Sequence, residues 1–186
     1  MGPLGALLGV AVGALDCAPA QSFRPASALT AYRPSEVGLA LASVGPRPYV
    51  EESARPMAQG WWSTRVGRRW QSSVLLGFDQ SALLAGGALR FLVVQDRLWA
   101  AAEVEAGFAW AAVSLPLALE LWQPVDVYCS PRLGNWGAEL SGFLPCGASI
   151  DVSDGLVLRG ELQLSWADFA YYNRRVHVGL GLVQQW

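Results

Sequence analysis

The chain lacks several features that would place it in a common soluble or helical class. It has no lysine, one histidine and only 15% charged residues, with a formal net charge of −2. This balance gives no reason to expect nucleic acid, whose recognition requires a basic surface. We find no metal-ligand spacing, no phosphate-binding glycine loop and no nucleophile elbow. The sequence therefore predicts neither a metal nor a cofactor.

A membrane-spanning helix is also missing, although 53% of the residues are hydrophobic. Such a helix needs about 20 consecutive apolar residues. The longest candidate, residues 106–119, is flanked by Glu105 and Glu120 and interrupted by Pro116. The apolar residues must therefore be distributed over many short segments, which is typical of β-strands that face lipid.

Residues 174–186 show such a segment most clearly. Side chains alternate in direction along a strand, so a period of two separates its faces. The face opposite the apolar one carries small or polar residues, including Arg175 and His177. The apolar face consists of Val176, Val178, Leu180, Leu182 and Trp186.

The same alternation predicts an all-β fold, an antiparallel up-and-down transmembrane barrel of about ten strands. Most of the segments are close to the ~9–11 residues that a tilted membrane strand needs. Eight strands is the alternative if two weak early segments are loops, and a secreted β-sandwich is the alternative fold. Pro116 should distort its strand because it has no N–H for the ladder. The strands are predicted at residues 36–44, 58–66, 70–78, 87–94, 98–108, 113–121, 125–133, 142–152, 156–166 and 174–186.

The N-terminal residues predict a cleaved signal peptide over residues 1–20. An apolar run at residues 4–15 precedes Ala18-Pro19-Ala20, which has the form of a cleavage site, although no basic residue precedes the run. A lipoprotein attached at Cys17 is the alternative, and Asp16 departs from the small residue expected before such a cysteine. Residues 21–35 are then predicted to be a flexible periplasmic lead-in, and residues 36–186 the barrel.

The inward strand faces carry a set of charges that predicts a filled lumen. Charges of both signs inside a narrow barrel normally pair with one another. Cys129 and Cys146 flank a loop on consecutive strands and face each other, which predicts a disulfide in an oxidising compartment. The predicted lumen network consists of Arg90, Glu103, Glu105, Glu120, Arg159, Glu161, Arg175 and His177.

Tryptophans near the strand ends predict aromatic girdles at the two membrane interfaces. A cluster at Trp166, Phe169, Tyr171 and Tyr172 offers an alternative role as an external binding surface. The predicted girdle consists of Trp61, Trp62, Trp70, Trp110, Trp122, Trp136, Trp166 and Trp186.

The chain has alternating strands and short turns, and it ends in Leu182-Val183-Gln184-Gln185-Trp186. In these features it resembles the small outer-membrane β-barrels of the outer-membrane protein A-like superfamily. The resemblance covers residues 36–186. It implies an integral protein of the bacterial outer membrane, in contact with the bilayer and lipopolysaccharide. It also implies that the outer-membrane assembly machinery recognises the last strand.

The expected function is non-enzymatic: a structural barrel, or an anchor that binds other envelope proteins in a complex. A narrow channel is one alternative. Another is a lipid A-modifying enzyme, because outer-membrane lipid A deacylases resemble this chain in size and topology. Such an enzyme would use His177 with Ser165 and Glu161, but these three residues fall on the inward face, whereas acyl chains lie outside.

Overall fold

We analysed a computed structural model of the 186-residue chain. It describes residues 23–26, 29–44, 54–79, 83–108, 110–136, 139–167 and 174–186. The predicted signal peptide, residues 1–20, lies outside the described residues, as do Phe169, Tyr171 and Tyr172 of the alternative aromatic surface. Within the described part of the chain, no helix is long and apolar enough to cross a membrane.

The described part of the chain contains twelve strand segments, and all of their pairings are antiparallel. They are β1 (Ser35–Val44), β2 (Arg55–Arg65), β3 (Trp70–Asp79), β4 (Leu83–Gln95), β5 (Leu98–Gly107), β6 (Trp110–Ser114), β7 (Leu117–Trp122), β8 (Val125–Cys129), β9 (Arg132–Trp136), β10 (Glu139–Ser153), β11 (Leu156–Ala167) and β12 (Arg174–Gln185).

Four of these segments form two interrupted barrel strands, so the barrel has ten strands. β6 and β7 both pair with β5 and are separated by Leu115 and Pro116, while β8 and β9 both pair with β10 and are separated by Ser130 and Pro131. A proline cannot donate to the ladder, which explains both interruptions. The predicted ten-stranded antiparallel fold is confirmed, and the eight-stranded alternative is wrong.

The sheet closes on itself through its first and last strands. β1 pairs with β12 over nine residue pairs, from Glu36↔Gln185 to Val44↔His177. Ser35 and Trp186 add two backbone hydrogen bonds, with N···O distances of 3.1 and 3.0 Å. Closure leaves no unpaired sheet edge, as a barrel in lipid requires.

The exposure of the strands is inverted relative to that of a water-soluble protein. Leu39 and Leu41 on the outer face of β1 are 71% and 72% exposed, whereas Arg159 on the inner face of β11 is 0% exposed. Lipid offers no hydrogen-bond partners, so the backbone N–H and C=O groups of a membrane-spanning segment must bond to one another. Only helices and closed β-barrels achieve this. An apolar outer wall around a polar interior is therefore the architecture of a transmembrane β-barrel, which places the chain in the bacterial outer membrane.

The two ends of the barrel differ in their connections. One end, here called the inner rim, carries Ser35, Trp186 and the short turns at residues 66–69, 96–97, 123–124 and 154–155. Gly67 and Gly155 have positive φ angles of 91° and 74°, as tight turns require. The opposite end has two equally short connections, residues 108–109 and 137–138, but also the two longest, residues 45–54 and 168–173. Since short turns of such barrels face the periplasm, the inner rim is the periplasmic end.

The N-terminal segment lies inside the barrel. Phe23, Arg24, Pro25, Ala26 and Leu29 are buried, and residues 30–34 lead from them to β1 at the inner rim. We expected a flexible periplasmic lead-in over residues 21–35, and the described part of that range is instead an ordered plug. The inner faces of β1 and β12 carry small residues at Gly38, Ala40, Gly179 and Gly181, which leave room for it.

Cys129 and Cys146 form a disulfide between β8 and β10, on the outer face of the wall. The bridge joins residues 17 apart in sequence. It links the two neighbouring strands beside the interruption at Ser130 and Pro131, where the Ser130 N–H donates to the Pro145 carbonyl at 2.8 Å. It therefore reinforces the wall at the point where proline removes ladder hydrogen bonds.

Replacing both cysteines (Cys129→Ser with Cys146→Ser) should lower the free energy of unfolding by about 3 kcal/mol, the value typical of a closed loop of this size. The transition can be followed in urea by the loss of the compact gel band of the unboiled protein. Wild type treated with a reductant should match the double variant. Alkylation of both thiols in untreated protein would contradict the bridge.

Candidate functional site

The candidate site is the lumen, because strand alternation directs the charged side chains inward and leaves the outer wall apolar. Six of the eight residues predicted for the lumen network are buried there: Arg90, Glu103, Glu105, Arg159, Glu161 and His177. Arg175 is half-buried on the inner face of β12. Glu120 is exposed and lines a cavity of about 370 Å³ at the inner rim.

One cluster of charges lies on β4, β5 and β9. The Arg90 Nε atom is 2.8 Å from a Glu103 carboxylate oxygen. Glu105 pairs with Arg132 of β9. Arg24 of the plug completes the cluster, with its guanidinium 3.2 Å from Glu103 and 3.4 Å from Glu105. Two carboxylates on one strand are thus neutralised by three arginines, two from the wall and one from the plug.

A second cluster surrounds Glu36, the second residue of β1. Arg159 of β11 donates to its carboxylate at 2.8 Å, and the Trp61 indole donates at 2.9 Å. Gln185 donates to the same carboxylate at 3.2 Å. A buried charge is tolerated only when it is paired and hydrogen-bonded, and Glu36 meets both conditions. The predicted network omitted Glu36, although it shares a strand face with Gly38 and Ala40.

The wall holds the plug mainly by its backbone. Arg159 donates to the Phe23 carbonyl at 2.6 Å, and Glu161 accepts from the Phe23 N–H at 2.8 Å. Arg90 donates to the carbonyls of Arg24 and Pro25, at 2.7 and 2.8 Å. Hydrogen bonds to charged groups contribute more than neutral ones, so these contacts fix the segment firmly. No pattern in the sequence of residues 21–35 indicated this role.

An aromatic contact completes the fit of the plug. The Phe23 ring stacks on Trp61 with centroids 5.9 Å apart and planes 7° apart. The Trp61 indole lies against Gly38, where a Cβ atom would begin only 2.2 Å from the ring. A residue other than glycine would therefore displace Trp61 and, with it, the stacking surface of Phe23.

Two of the predicted girdle tryptophans are therefore wrongly assigned. Trp61 and Trp110 are 3% and 5% exposed and belong to the lumen, because they lie at inward positions of β2 and β6. Trp166 is half-buried on the outer face, and the side chain of Trp136 lies outside the described part of the structure. The exposed members on the outer wall are Trp62, Trp70, Trp122 and Trp186.

His177 and Ser165 form a buried pair near the outer end of the lumen. The Ser165 hydroxyl and the His177 Nε2 atom are 2.6 Å apart. Among the described residues the His177 Nδ1 atom has no hydrogen-bond partner, and Glu161 accepts from the Phe23 backbone instead. A general base is oriented by a third group and must reach its substrate. The described residues provide neither a carboxylate on Nδ1 nor access from the lipid.

This geometry predicts that the chain does not alter lipid A. Lipid A from cells that express the wild type, His177→Ala or an empty vector should give the same mass spectrum. As a control, the wild type and His177→Ala must both be present in the outer membrane as folded barrel, which is detected by the gel shift on boiling. An acyl chain lost only in cells with the wild type would contradict the prediction.

Scans against protein-family models and against curated proteins found no match. Among solved structures, Neisserial surface protein A is similar at 8% identity and a TM-score of 0.42, covering 82% of this chain and 97% of that one. The translocator domain of an autotransporter from Neisseria meningitidis has 10% identity and a TM-score of 0.43, with 82% and 88% covered. An outer membrane protein of Acinetobacter baumannii has 10% identity and a TM-score of 0.33, with 83% and 98% covered. The fold assignment itself follows from the strand pairing and closure described above.

Proposed function

We propose that this integral barrel is closed to transport and non-enzymatic, and that it acts as an anchor that binds other envelope proteins. The observation that supports the proposal is the plug. The chain's own residues 23–26 and 29 occupy the lumen, and Arg24 pairs with the carboxylates of Glu103 and Glu105. The surfaces left for other molecules are the two rims and the lipid-facing wall.

The plug also argues against the narrow-channel alternative. A ten-stranded barrel has little space beyond its own side chains, since open aqueous channels are typical of much larger barrels. Here Arg24 and Phe23 fill part of that space, and both are held by wall residues from β4, β5 and β11. A solute that displaces the plug would have to break five hydrogen bonds from residues 23–25 to the wall and the ion pair between Arg24 and Glu105.

The inner rim is the surface that best suits a periplasmic partner. Tyr32 is 96% exposed beside the rim cavity of about 370 Å³. Arg33 next to it bridges Asp154 at 2.9 Å and Asp151 at 3.5 Å. The ordered segment before β1 thus presents an aromatic ring within a polar surround, a composition that partner surfaces favour.

Two further contacts belong to the proposal. The apolar outer face of β12, which ends in the exposed Trp186, is the surface we expect the assembly machinery to recognise before β12 pairs with β1. The outer half of the wall is the surface we expect to contact lipopolysaccharide.

The anchor role is tested by isolating the chain from outer membranes in mild detergent and measuring its native mass. We expect a defined complex larger than the barrel, with a partner present in fixed ratio. The double variant Tyr32→Ala with Arg33→Ala should lose the partner and keep the folded-barrel gel shift. The matched wall variant Leu39→Ala should keep both. A wild-type chain that is always isolated alone, at its monomer mass, would overturn the proposal.

A further inference from the structure

Two neighbouring turns of the inner rim form a basic patch. In the β2–β3 turn, Arg68 and Arg69 are exposed, and Arg65 holds the turn by donating to the Gly67 carbonyl at 3.0 Å. Arg65 also donates to Gln95 at 2.9 Å, which brings the β4–β5 turn, with Asp96 and Arg97, alongside. Arg65 at the end of β2 and the two turns thus contribute four arginines. The acidic residues beside them are Asp96 and Glu120, whose N–H donates to the Arg97 carbonyl at 3.0 Å. No salt bridge of Arg68 or Arg69 is found among the residues that the structure describes.

Aromatic rings connect this patch to the lipid-facing wall. The Arg69 guanidinium lies 6.0 Å from the centre of the Phe91 ring. The Phe91 ring in turn contacts Trp70, with centroids 4.9 Å apart. Tryptophan and arginine at a barrel end are suited to the head-group region, where an apolar body and a polar group meet.

An apolar groove of about 710 Å³ begins at these two rings and runs up the outer wall. Its direction follows the cross-strand register, in which Trp70 faces Phe91 and Phe91 faces Ala102. The row continues through Leu115 and Pro131 to Leu144. Trp70 is the first residue of β3 at the inner rim, whereas Leu144 lies in the half of β10 far from that rim. The groove therefore climbs as it passes from strand to strand.

The dimensions of the groove match those of one leaflet. A row across six neighbouring barrel strands is about 24 Å long at roughly 4.8 Å per strand. With a strand tilt of about 40°, that row rises about 15 Å, half of the hydrocarbon thickness of about 30 Å. Ala102 and Pro131 keep the floor of the groove low between the leucines of neighbouring strands.

We propose that the basic patch and the groove together bind one anionic diacyl phospholipid from the periplasmic leaflet. Arg68 and Arg69 contact its phosphate, and one acyl chain lies in the groove. Charge complementarity selects the head group, since arginine is suited to phosphate oxygens. The groove accommodates an acyl chain whose head group lies at the inner rim. This site is independent of the plug and goes beyond the anchor function.

The test uses the purified full chain in non-ionic detergent, stripped of lipid and titrated in native mass spectrometry. The probes are phosphatidylglycerol and phosphatidylcholine with identical acyl chains. We expect the first to bind about thirtyfold more tightly, which corresponds to about 2 kcal/mol, or about 1 kcal/mol per arginine. The double variant Arg68→Gln with Arg69→Gln should bind both lipids equally weakly.

Matched variants separate the site from general charge or surface effects. Arg55→Gln with Arg174→Gln removes the same charge at the opposite end of the barrel and should keep the preference for the anionic lipid. Ala102→Phe fills the groove and should weaken the binding of both lipids. Ala106→Phe lies on the same face of β5 but outside the groove, and should leave the binding of both lipids unchanged. Equal binding of the two lipids by the wild type would overturn the proposal. So would equal losses in the two arginine pairs, or unchanged binding by Ala102→Phe.

Discussion

Replacing residues 23–33 with a glycine-serine linker of equal length is expected to turn a non-conducting barrel into one that conducts ions. In the wild type, Arg24 bridges Glu103 and Glu105, and Phe23 stacks on Trp61. Without these side chains the lumen must fill with water, because the charged inner wall keeps its own groups and loses its partners. Single-barrel recordings in planar bilayers should show no current for the wild type and discrete steps for the linker variant.

The linker variant must first be shown to fold, by its gel shift on boiling. The matched control replaces residues 30–33 alone, which lie at the rim and leave Phe23 and Arg24 in place; it should remain silent. Conductance in the wild type equal to that of the linker variant would mean that the plug does not close the lumen. Silence in a folded linker variant would mean that the wall side chains alone close it.

Removing the positive partner of Glu36 is expected to destabilise the barrel strongly. Arg159→Met leaves a buried carboxylate whose remaining hydrogen-bond donors, among the described residues, are the neutral Trp61 and Gln185. Breaking a buried ion pair from one side typically costs about 3–5 kcal/mol. The variant also loses the hydrogen bond from Arg159 to the Phe23 carbonyl. Urea titration of the folded-barrel band should show a midpoint well below that of the wild type.

A second variant identifies the cause of that loss. Glu36→Gln with Arg159→Met removes both charges and should recover much of the stability, because replacing a buried pair by neutral groups is often close to neutral. Arg33→Met is the matched control: Arg33 pairs with exposed carboxylates at the rim, and such pairs contribute about 1 kcal/mol or less. If the double variant were as unstable as Arg159→Met, the loss of stability would come from packing and not from the unpaired charge.

The strand faces were predictable because alternation is a local property. On β11 and β12, each residue's direction follows from its neighbours, so Arg159, Glu161 and His177 could be assigned to the lumen and Leu180 to the wall. The tryptophans show where a local argument stops. Trp61 and Trp62 are adjacent and chemically identical, and only the side of the strand on which each lies separates a lumen residue from a membrane anchor.

The sequence by itself thus determined the antiparallel β-barrel and the direction of most strand residues, since those follow from a period of two and from segment length. The choice of ten strands over eight and the inward position of Trp61 and Trp110 came from the tertiary structure. Only the tertiary structure decided which charges meet and what fills the lumen. Phe23 and Glu161 are 138 residues apart in sequence, and Glu36 and Arg159 are 123 apart. Such partners are set by closure of β1 on β12 and by the space that small residues leave inside it. The segment before β1 carries no period of its own, so the place of Phe23 and Arg24 in the lumen comes from that space and from the charges around it.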